Sequence, residues 1–246
     1  MICSVMQPTF FPWLGYFDLI LKSDVFVFYD DVQFVKQSWQ TRNRIKTANG
    51  VIFLNVPTIK TNLDSNINRI EIDNRKPWNS KIKKTLFYTY QKSPFFDEVY
   101  PFFEDFLSKK YIFLNEFNSS FIIEICKMIG IDTKFYFSSN LLSKENTKDK
   151  RLVDICNELK CNHYLSTIGA SSYIEKNTEG GEFVKNNIEL SYHNYSPVNY
   201  SQSFGEFEPY MSIVDVLFNE GFKNAGKIIK LGSKSFLKSK DLNNVK

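Results

Sequence analysis

Residues 2–31 read ICSVMQPTFFPWLGYFDLILKSDVFVFYDD, and this stretch decides the fold. Ile2–Met6 is a short apolar run that stops at Gln7-Pro8, which is typical of a buried strand. After Pro12, apolar residues recur at helical spacing, and the next segment, Val25–Tyr29, is rich in strand-forming residues. The order strand, loop, helix, strand predicts the βαβ unit of a parallel sheet.

The remainder of the chain extends this alternation of strands and helices. Further strands are predicted at 51–56, 67–72, 133–137, 163–166 and 188–192, and further helices at 151–159, from Gly169 and from Pro209. Between them lies a helical insertion at about 77–130. We therefore predict an α/β fold: a Rossmann-like, mostly parallel sheet with helices on both faces. It would form a single domain over 1–226, followed by a basic C-terminal tail over 227–246.

Composition and charge limit the possible functions. The chain has 246 residues, of which 43% are hydrophobic, enough for a substantial core. Its net charge of +4 is concentrated at the C-terminus, because residues 227–246 hold six Lys and one Asp, a local +5. The other 226 residues therefore sum to 4 − 5 = −1. A nearly neutral body argues against a broad nucleic-acid footprint, so no nucleic-acid partner is expected. The basic tail could touch membrane phosphates or nucleic acid, although such tails more often increase solubility or are disordered.

Residue usage argues against a metal site, a signal peptide and a membrane span. The 4 Cys have no metal-binding spacing and there are only 2 His, so no metal ligand set is assigned. The N-terminus lacks the basic and apolar regions of a signal peptide, and no window reaches the length of a membrane span. We expect a cytoplasmic protein with no transmembrane segment, and the oligomeric state stays open.

The first candidate binding segment is QPTFFPWLGY, Gln7 to Tyr16. Pro8 and Pro12 stiffen the loop, and Gly15 falls in the first helical turn, where backbone N–H groups favour an anion. The alternative is a rigid strand-to-helix corner in which Trp13 belongs to the core. The substrate-binding candidates from this segment are Gln7, Pro8, Trp13, Gly15 and Tyr16.

Two adjacent carboxylates, Asp30 and Asp31, end the second predicted strand, and Gln33 follows as a substrate-binding candidate. Such a pair could hold Mg²⁺, orient a hydroxyl or an amine, or act as a general base. Successive strand residues point to opposite faces, so we expect only one carboxylate to face a site. The alternative is that one of them caps the following turn.

A third candidate segment is WQTRNRIK, Trp39 to Lys46. On an extended chain Arg42, Arg44 and Lys46 share one face, and Asn43 lies on the other. Guanidinium groups suit bidentate recognition of phosphate or carboxylate. Interleaved Trp and Arg could also stack on a base, as in RNA binding, and a solvated charged edge strand is the further alternative.

Two later segments add the remaining candidates. YLSTIGASSY, residues 164–173, places small and hydroxyl-bearing residues on a loop that leads into a helix, with Ser166 and Gly169 as candidates for a second anion site. Glu206 lies in a turn and is a catalytic candidate together with Asp30 and Asp31, although turn carboxylates mostly face water.

The motifs resemble those of a known family. QPTFFPWLGYFDLILKSDVFVFYDDVQFVKQSWQTRNRIK, residues 7–46, closely resembles the opening of the WbqC-like proteins. YLSTIGASSYI and FGEFEPYMSIVDVLFNEG resemble the later motifs of that family. Many members carry His immediately before the Gln-Pro pair, where this chain has Met6. The resemblance therefore carries over no mechanism that needs an imidazole there.

The resemblance implies a role in O-antigen or other surface polysaccharide biosynthesis. It implies acyl or aminoacyl transfer to a nucleotide-linked amino sugar, by a transferase or an ATP-dependent ligase that forms an amide. Because a free carboxylate needs activation first, ATP and Mg²⁺ are candidate cofactors, and the partners would be a sugar nucleotide or an amino acid. The alternative is a non-catalytic protein of the same pathway that binds a sugar nucleotide or glycan.

Overall fold

The computed structural model describes residues 1–62 and 64–244. The strands, numbered in chain order, are β1 Ile2–Met6, β2 Val25–Phe28, β3 Arg42–Thr47, β4 Gly50–Asn55, β5 Lys134–Phe137, β6 His163–Thr167 and β7 Glu189–His193. Five of them form one parallel sheet in the order β5-β2-β1-β6-β7, whereas β3 and β4 form a separate antiparallel hairpin. The predicted Rossmann-like α/β fold is confirmed.

Helices surround this sheet. They are α1 Leu14–Leu21, α2 Trp78–Tyr90, α3 Phe96–Phe106, α4 Leu114–Met128, α5 Lys148–Glu158, α6 Ser171–Ile174, α7 Gly181–Lys185 and α8 Ile213–Gly232. Two separate apolar clusters place α1–α4 and α8 on one side and α5–α7 on the other. The three helices α2–α4 occupy the position of the predicted helical insertion.

The apolar run of β2 explains why the sheet is covered on both faces. Phe26 and Phe28 pack into the cluster that contains α1, while Val25 and Val27 pack into the cluster that contains α5. Side chains alternate along a strand, so a strand buried on both faces must be apolar throughout. All four residues of β2 are buried, as this requires.

One predicted strand, at 67–72, is wrong. Residues 67–69 form a short 3₁₀ turn instead. The backbone N–H of Asn68 donates to the Asp30 carbonyl at 2.8 Å, and that of Ile72 donates to the Ile112 carbonyl at 2.9 Å. Because these backbone N–H groups donate to loop carbonyls, the segment joins neither sheet. Its alternating pattern arises because one side of a loop is buried.

Two predicted helix starts are displaced. The helix expected from Pro209 begins at Ile213, where the hydroxyl of Ser212 accepts from the backbone N–H of Val214 at 3.2 Å. The segment led by Gly169 begins as a 3₁₀ turn over 168–170 before α6. Both shifts follow from side chains and turns that satisfy the first helical N–H groups.

Part of the basic C-terminal segment is regular structure. Helix α8 includes Lys227 and Lys230, and a 3₁₀ turn covers Ser239–Asn244. Lys246 lies outside the described residues. The division into a domain over 1–226 and a basic tail over 227–246 stays a prediction. Within residues 1–62 and 64–244, no helix has both the length and the apolar character needed to cross a membrane.

Candidate functional site

The strand order creates a crevice beside β1. From β1 the chain winds outward through β2 and β5, then returns to place β6 on the opposite side of β1. The connections that leave β1 and β6 therefore diverge, and such switch points are where open α/β sheets bind ligands. A cavity lies at this point, at the carboxyl ends of the two strands.

The first cavity, which we call the switch-point compartment, has a volume of about 290 Å³. Its walls are neutral and carry amides, hydroxyls and two phenols. They comprise Val5, Met6, Gln7, Thr9, Ser38, Trp39, Gln40, Tyr164, Ser166, Thr167, Ala170 and Tyr173. Burial raises the pKa of Tyr164 well above its usual value and that of Tyr173 to about 12, so both hydroxyls stay protonated at neutral pH.

A second cavity, which we call the aromatic compartment, has a volume of about 300 Å³. It comprises Met6, Thr9, Pro12, Trp13, Tyr16, Trp39, Asn43, Arg44 and Tyr210. Met6, Thr9 and Trp39 belong to both walls, so the two compartments adjoin, and together we call them the cleft. Burial raises the pKa of Tyr16, and its hydroxyl donates to the Gln7 carbonyl at 3.0 Å.

A pair of amide side chains fixes the floor of the switch-point compartment. Gln40 is buried, its Oε1 accepts from the backbone N–H of Val35 at 3.3 Å, and its Nε2 donates to Gln7 Oε1 at 2.8 Å. Gln7 Oε1 therefore already accepts one hydrogen bond. The Nε2 group of Gln7 has no hydrogen-bond partner within the described part of the chain and can donate to a ligand.

Arg44 is the cation of the cleft. Its Nη2 donates to the Tyr210 carbonyl at 3.3 Å, and the guanidinium lies 5.8 Å from the centre of the Trp39 ring. Its Nε is buried and has no hydrogen-bond partner in the described part of the chain. No carboxylate forms an ion pair with Arg44 among the residues described. A partly buried, uncompensated cation favours binding of an anion.

Hydrogen bonds between distant segments hold the aromatic compartment together. Asn43 Nδ2 donates to the carbonyls of Phe10 and Phe11 at 3.2 and 2.9 Å, which fixes the corner after β1 against β3. Ser212 donates its backbone N–H to the Arg44 carbonyl at 2.9 Å and its hydroxyl to the Phe11 carbonyl at 2.7 Å. The start of α8 thereby positions Tyr210 at the cleft.

The carboxylates of Asp30 and Asp31 line neither compartment. Asp30 is buried; its Oδ1 accepts from the backbone N–H of Ser139 and its Oδ2 from Asn115 Nδ2 and Ser139 Oγ. The single proton of the Ser138 hydroxyl is shared between Asp30 Oδ1, at 3.1 Å, and the nearer Asp31 Oδ1. Asp31 accepts from Ser138 Oγ at 2.5 Å and from Arg151 Nη2 at 2.5 Å. Because hydrogen-bond donors and a cation already occupy these oxygens, the pair does not fit Mg²⁺.

Arg151 connects Asp31 with the edge of the cleft. Its guanidinium lies 5.2 Å from the centre of the Tyr29 ring. Tyr29 is close enough to Tyr173, a wall residue of the switch-point compartment, to contribute to the raised pKa of the Tyr173 hydroxyl. The carboxylate pair is thus a neighbour of the cleft, one layer behind its wall.

The three cations of β3 separate. Arg42 lies over the Phe53 ring at 4.8 Å, outside both compartments. Lys46 is buried, and its ammonium donates to Gln202 Oε1 at 3.1 Å and to the backbone carbonyl of Glu206. Glu206 itself is exposed and contacts Lys46 through its backbone, so its carboxylate is not at the cleft.

The cleft brings together most of the other residues singled out from the sequence. Gln7, Trp13, Tyr16, Trp39, Asn43, Arg44 and Ser166 line it. Four do not appear in its walls: Pro8, Gly15, Gln33 and Gly169. Gln33 is exposed and bridges to Asn66.

Sequence reasoning missed several wall residues and partners. Gln40, Tyr173 and Tyr210 lie inside the quoted motifs, so the motifs contained them, but no pattern distinguished them from their neighbours. Ser138 and Arg151, the partners of the carboxylate pair, lie more than 100 residues away, at separations of 107 and 120. No local signal connects them with Asp31.

Comparisons with known proteins agree on one family. Residues 7–226 match the family described as the WbqC-like protein family. A curated relative from Mycobacterium tuberculosis (strain ATCC 25618 / H37Rv), named Uncharacterized protein Rv1507c, is 31% identical over 221 residues, covering 89% of this chain and 93% of the relative. No solved structure matches the chain.

Proposed function

Because the chain belongs to the WbqC-like protein family, we propose that it is a cytoplasmic enzyme of surface polysaccharide (O-antigen) biosynthesis. In this proposal it transfers an acyl or aminoacyl group to a nucleotide-linked amino sugar bound in the cleft. A sugar nucleotide combines a planar base, phosphates and a polyhydroxylated ring. In the cleft, aromatic rings match the base, Arg44 matches the phosphates, and amides and hydroxyls match the sugar ring.

The observation that carries the proposal is the uncompensated Arg44 in the aromatic wall of a switch-point cleft. A phosphate would neutralise the Arg44 guanidinium and accept hydrogen bonds from its N–H groups. No side chain of the described residues accepts a hydrogen bond from this guanidinium. Rings of the ligand would lie against aromatic and amide surfaces on either side.

The attacking sugar amine must lose a proton, and Asp31 is the carboxylate we propose for this step. Asp30 is buried, and its two oxygens accept three hydrogen bonds from Asn115 and Ser139. Each oxygen of Asp31 accepts one, from Ser138 or from Arg151, and so retains accepting capacity. Because Asp31 does not line the cleft, the proton would reach it through one intervening water and not by direct contact.

An amide-forming assay tests this function. Purified protein is incubated with ATP, glycine and a nucleotide-linked amino sugar, and products are followed by mass spectrometry. Arg44→Gln is expected to lower kcat/KM by about tenfold or more, since it removes a charge-assisted contact. Arg42→Gln removes the same charge two residues away, outside the cleft, and is the matched control. Absence of any amide product across amino acids and acyl donors would count against the transferase.

A non-catalytic binding protein of the same pathway is the second candidate. The observation that favours it is that hydrogen-bond donors occupy both carboxylates of the Asp pair, and that neither carboxylate lines the cleft. Asp31→Asn separates the two functions. A binding protein would retain its ligand affinity and its cellular role after this change, whereas the enzyme would retain affinity and lose turnover.

A further inference from the structure

We infer that a single ligand spans both compartments in one orientation, with its nucleobase in the aromatic compartment and its sugar in the switch-point compartment. The inference rests on the ligand class of the proposed function and adds the direction of binding. Each compartment, at about 300 and 290 Å³, is at the lower end of the size of ligand pockets. A nucleotide-linked sugar therefore needs both.

The aromatic compartment has the chemistry of a base-binding platform. Trp39 is 51% exposed although its indole is large and apolar. Its backbone carbonyl accepts from the N–H of Phe10 at 2.8 Å, so the residue is held in place while the ring stays open to solvent. Trp13 and Tyr210 pack together across the compartment at 5.3 Å between ring centres. Stacking on such rings binds a nucleobase strongly, whichever base it is.

The charge of the cleft sets the position of the phosphates. Arg44 lies on the aromatic side, next to Trp39, and no Lys, Arg, Asp or Glu of the described residues lines the switch-point compartment. A diphosphate on the aromatic side would be neutralised by Arg44, whereas in the switch-point compartment it would meet only neutral groups. The phosphates therefore belong beside the base, close to the junction of the two compartments.

The switch-point compartment has the chemistry of a sugar site. Gln7 Nε2 is a donor without a partner among the described residues, and the Gln40 contact fixes the Gln7 amide group in place. The Ser166 hydroxyl lies in the same wall. Neutral amides and hydroxyls exchange hydrogen bonds with sugar hydroxyls in either sense. They also leave an amino group of the sugar free of any adjacent cation, so it could lie near the edge at Tyr173.

Tryptophan fluorescence and calorimetry test the orientation. The probes are UDP, the diphosphates of thymidine and guanosine, and UDP-N-acetylglucosamine. A base stacked on Trp39 is expected to quench its fluorescence. Trp39→Ala should remove the part of the quenching that Trp39 contributes, leaving only that of Trp13 in the same compartment. It should weaken a nucleoside diphosphate by about tenfold or more, and its sugar derivative by at least as much. Trp39→Phe should restore most of the affinity without the Trp39 quenching, because a ring is again present.

Gln7→Leu is the complementary variant. It should leave the Kd for UDP within about twofold and should remove the additional affinity contributed by the sugar. The opposite pattern, with Gln7→Leu weakening UDP itself and Trp39→Ala weakening only the sugar contribution, would overturn the orientation while leaving the ligand class intact. If no nucleotide or nucleotide-linked sugar binds the wild-type protein, the proposed function fails together with the inference.

Discussion

Arg151 Nη2 lies 2.5 Å from Asp31 Oδ2, and the two side chains are only 9% and 12% exposed. The pair connects the first turn of α5 with the loop that leaves β2. Arg151 also lies over the Tyr29 ring, so a single guanidinium fastens a helix to the carboxyl edge of the sheet. This edge is where the cleft opens.

Removal of Arg151 should therefore destabilise the fold. Arg151→Met leaves the Asp31 carboxylate largely buried without its cation, and we expect the free energy of unfolding to fall by about 3 kcal/mol. Urea denaturation followed by circular dichroism measures this. The matched control is Lys185→Gln, which breaks a Lys–Glu pair of 2.7 Å whose side chains are 57% and 23% exposed and should change stability far less. Similar losses in the two variants would contradict the structural role.

Asp30 has a different role, as an acceptor for the loop after β5. Asp30→Asn replaces one accepting oxygen by a donating NH₂ group that faces two donors, such as Asn115 Nδ2 and Ser139 Oγ. We expect a loss of about 2 kcal/mol in unfolding free energy, the cost of hydrogen bonds broken at a buried group. Asp132→Asn, at an exposed carboxylate, is the control. A neutral effect at Asp30 would show that the loop does not depend on these hydrogen bonds.

The difference between local and distant partners explains which features the sequence predicted. The βαβ opening follows from neighbouring residues, since the run Val25–Phe28 must be a strand buried on both faces whatever packs on it. Gln7 and Arg44 lie inside motifs that the sequence singled out, and both line the cleft, although a site role for them stays a prediction. The direction of the Asp30 and Asp31 side chains depends instead on Ser138 and Arg151, whose positions are set by the tertiary fold.

The false strand at 67–72 has a similar origin. Alternation of apolar and polar residues reports burial on one side, but it does not say whether a neighbouring strand exists to accept the hydrogen bonds. Here the 3₁₀ turn at 67–69 and the carbonyl of Ile112 accept the backbone hydrogen bonds that a neighbouring strand would otherwise accept. Pattern alone cannot distinguish the two cases.

Gly15 gives a prediction about the shape of the cleft. A Cβ at Gly15 would lie 2.3 Å from a ring carbon of Trp13, which lines the aromatic compartment. Gly15→Ala should therefore displace the indole, cost about 1–3 kcal/mol of stability and weaken nucleotide binding. The glycine makes room for a ring, which is a role that its position in the first helical turn did not indicate.

Gly169→Ala is the matched control for Gly15→Ala. Nothing lies within 4 Å of the Cβ that this change would add. We expect the unfolding free energy to stay within about 0.5 kcal/mol of the wild-type value. Thermal unfolding and calorimetric titration with UDP measure both variants, and an unchanged Kd in Gly15→Ala would show that Trp13 does not shape the binding site.

Asp215 gives a prediction about pH. It is buried in α8, and its carboxylate accepts from the hydroxyls of Tyr90 and Tyr200 at 2.9 and 2.6 Å and from Gln202 Nε2 at 2.7 Å. Burial raises the pKa of Asp215 above its usual value of 3.8, because the hydrogen bonds and Lys46 offset only part of the desolvation cost. The folded state therefore binds this proton more tightly than the unfolded state.

The sign of the pH dependence follows from this difference. As pH rises from the unfolded pKa of about 4 through the higher pKa of the folded state, the contribution of Asp215 to stability falls. Asp215→Asn has no such proton, so the unfolding free energy of the wild type minus that of Asp215→Asn should decrease between about pH 4 and neutral pH. Lys46→Met should enlarge the decrease, because Lys46 lowers the Asp215 pKa. Lys84→Met, at an exposed position, should leave it unchanged. A constant difference would mean that the folded protein stabilises the Asp215 carboxylate as well as water does, and a rising one that it stabilises it better; either would contradict the raised pKa.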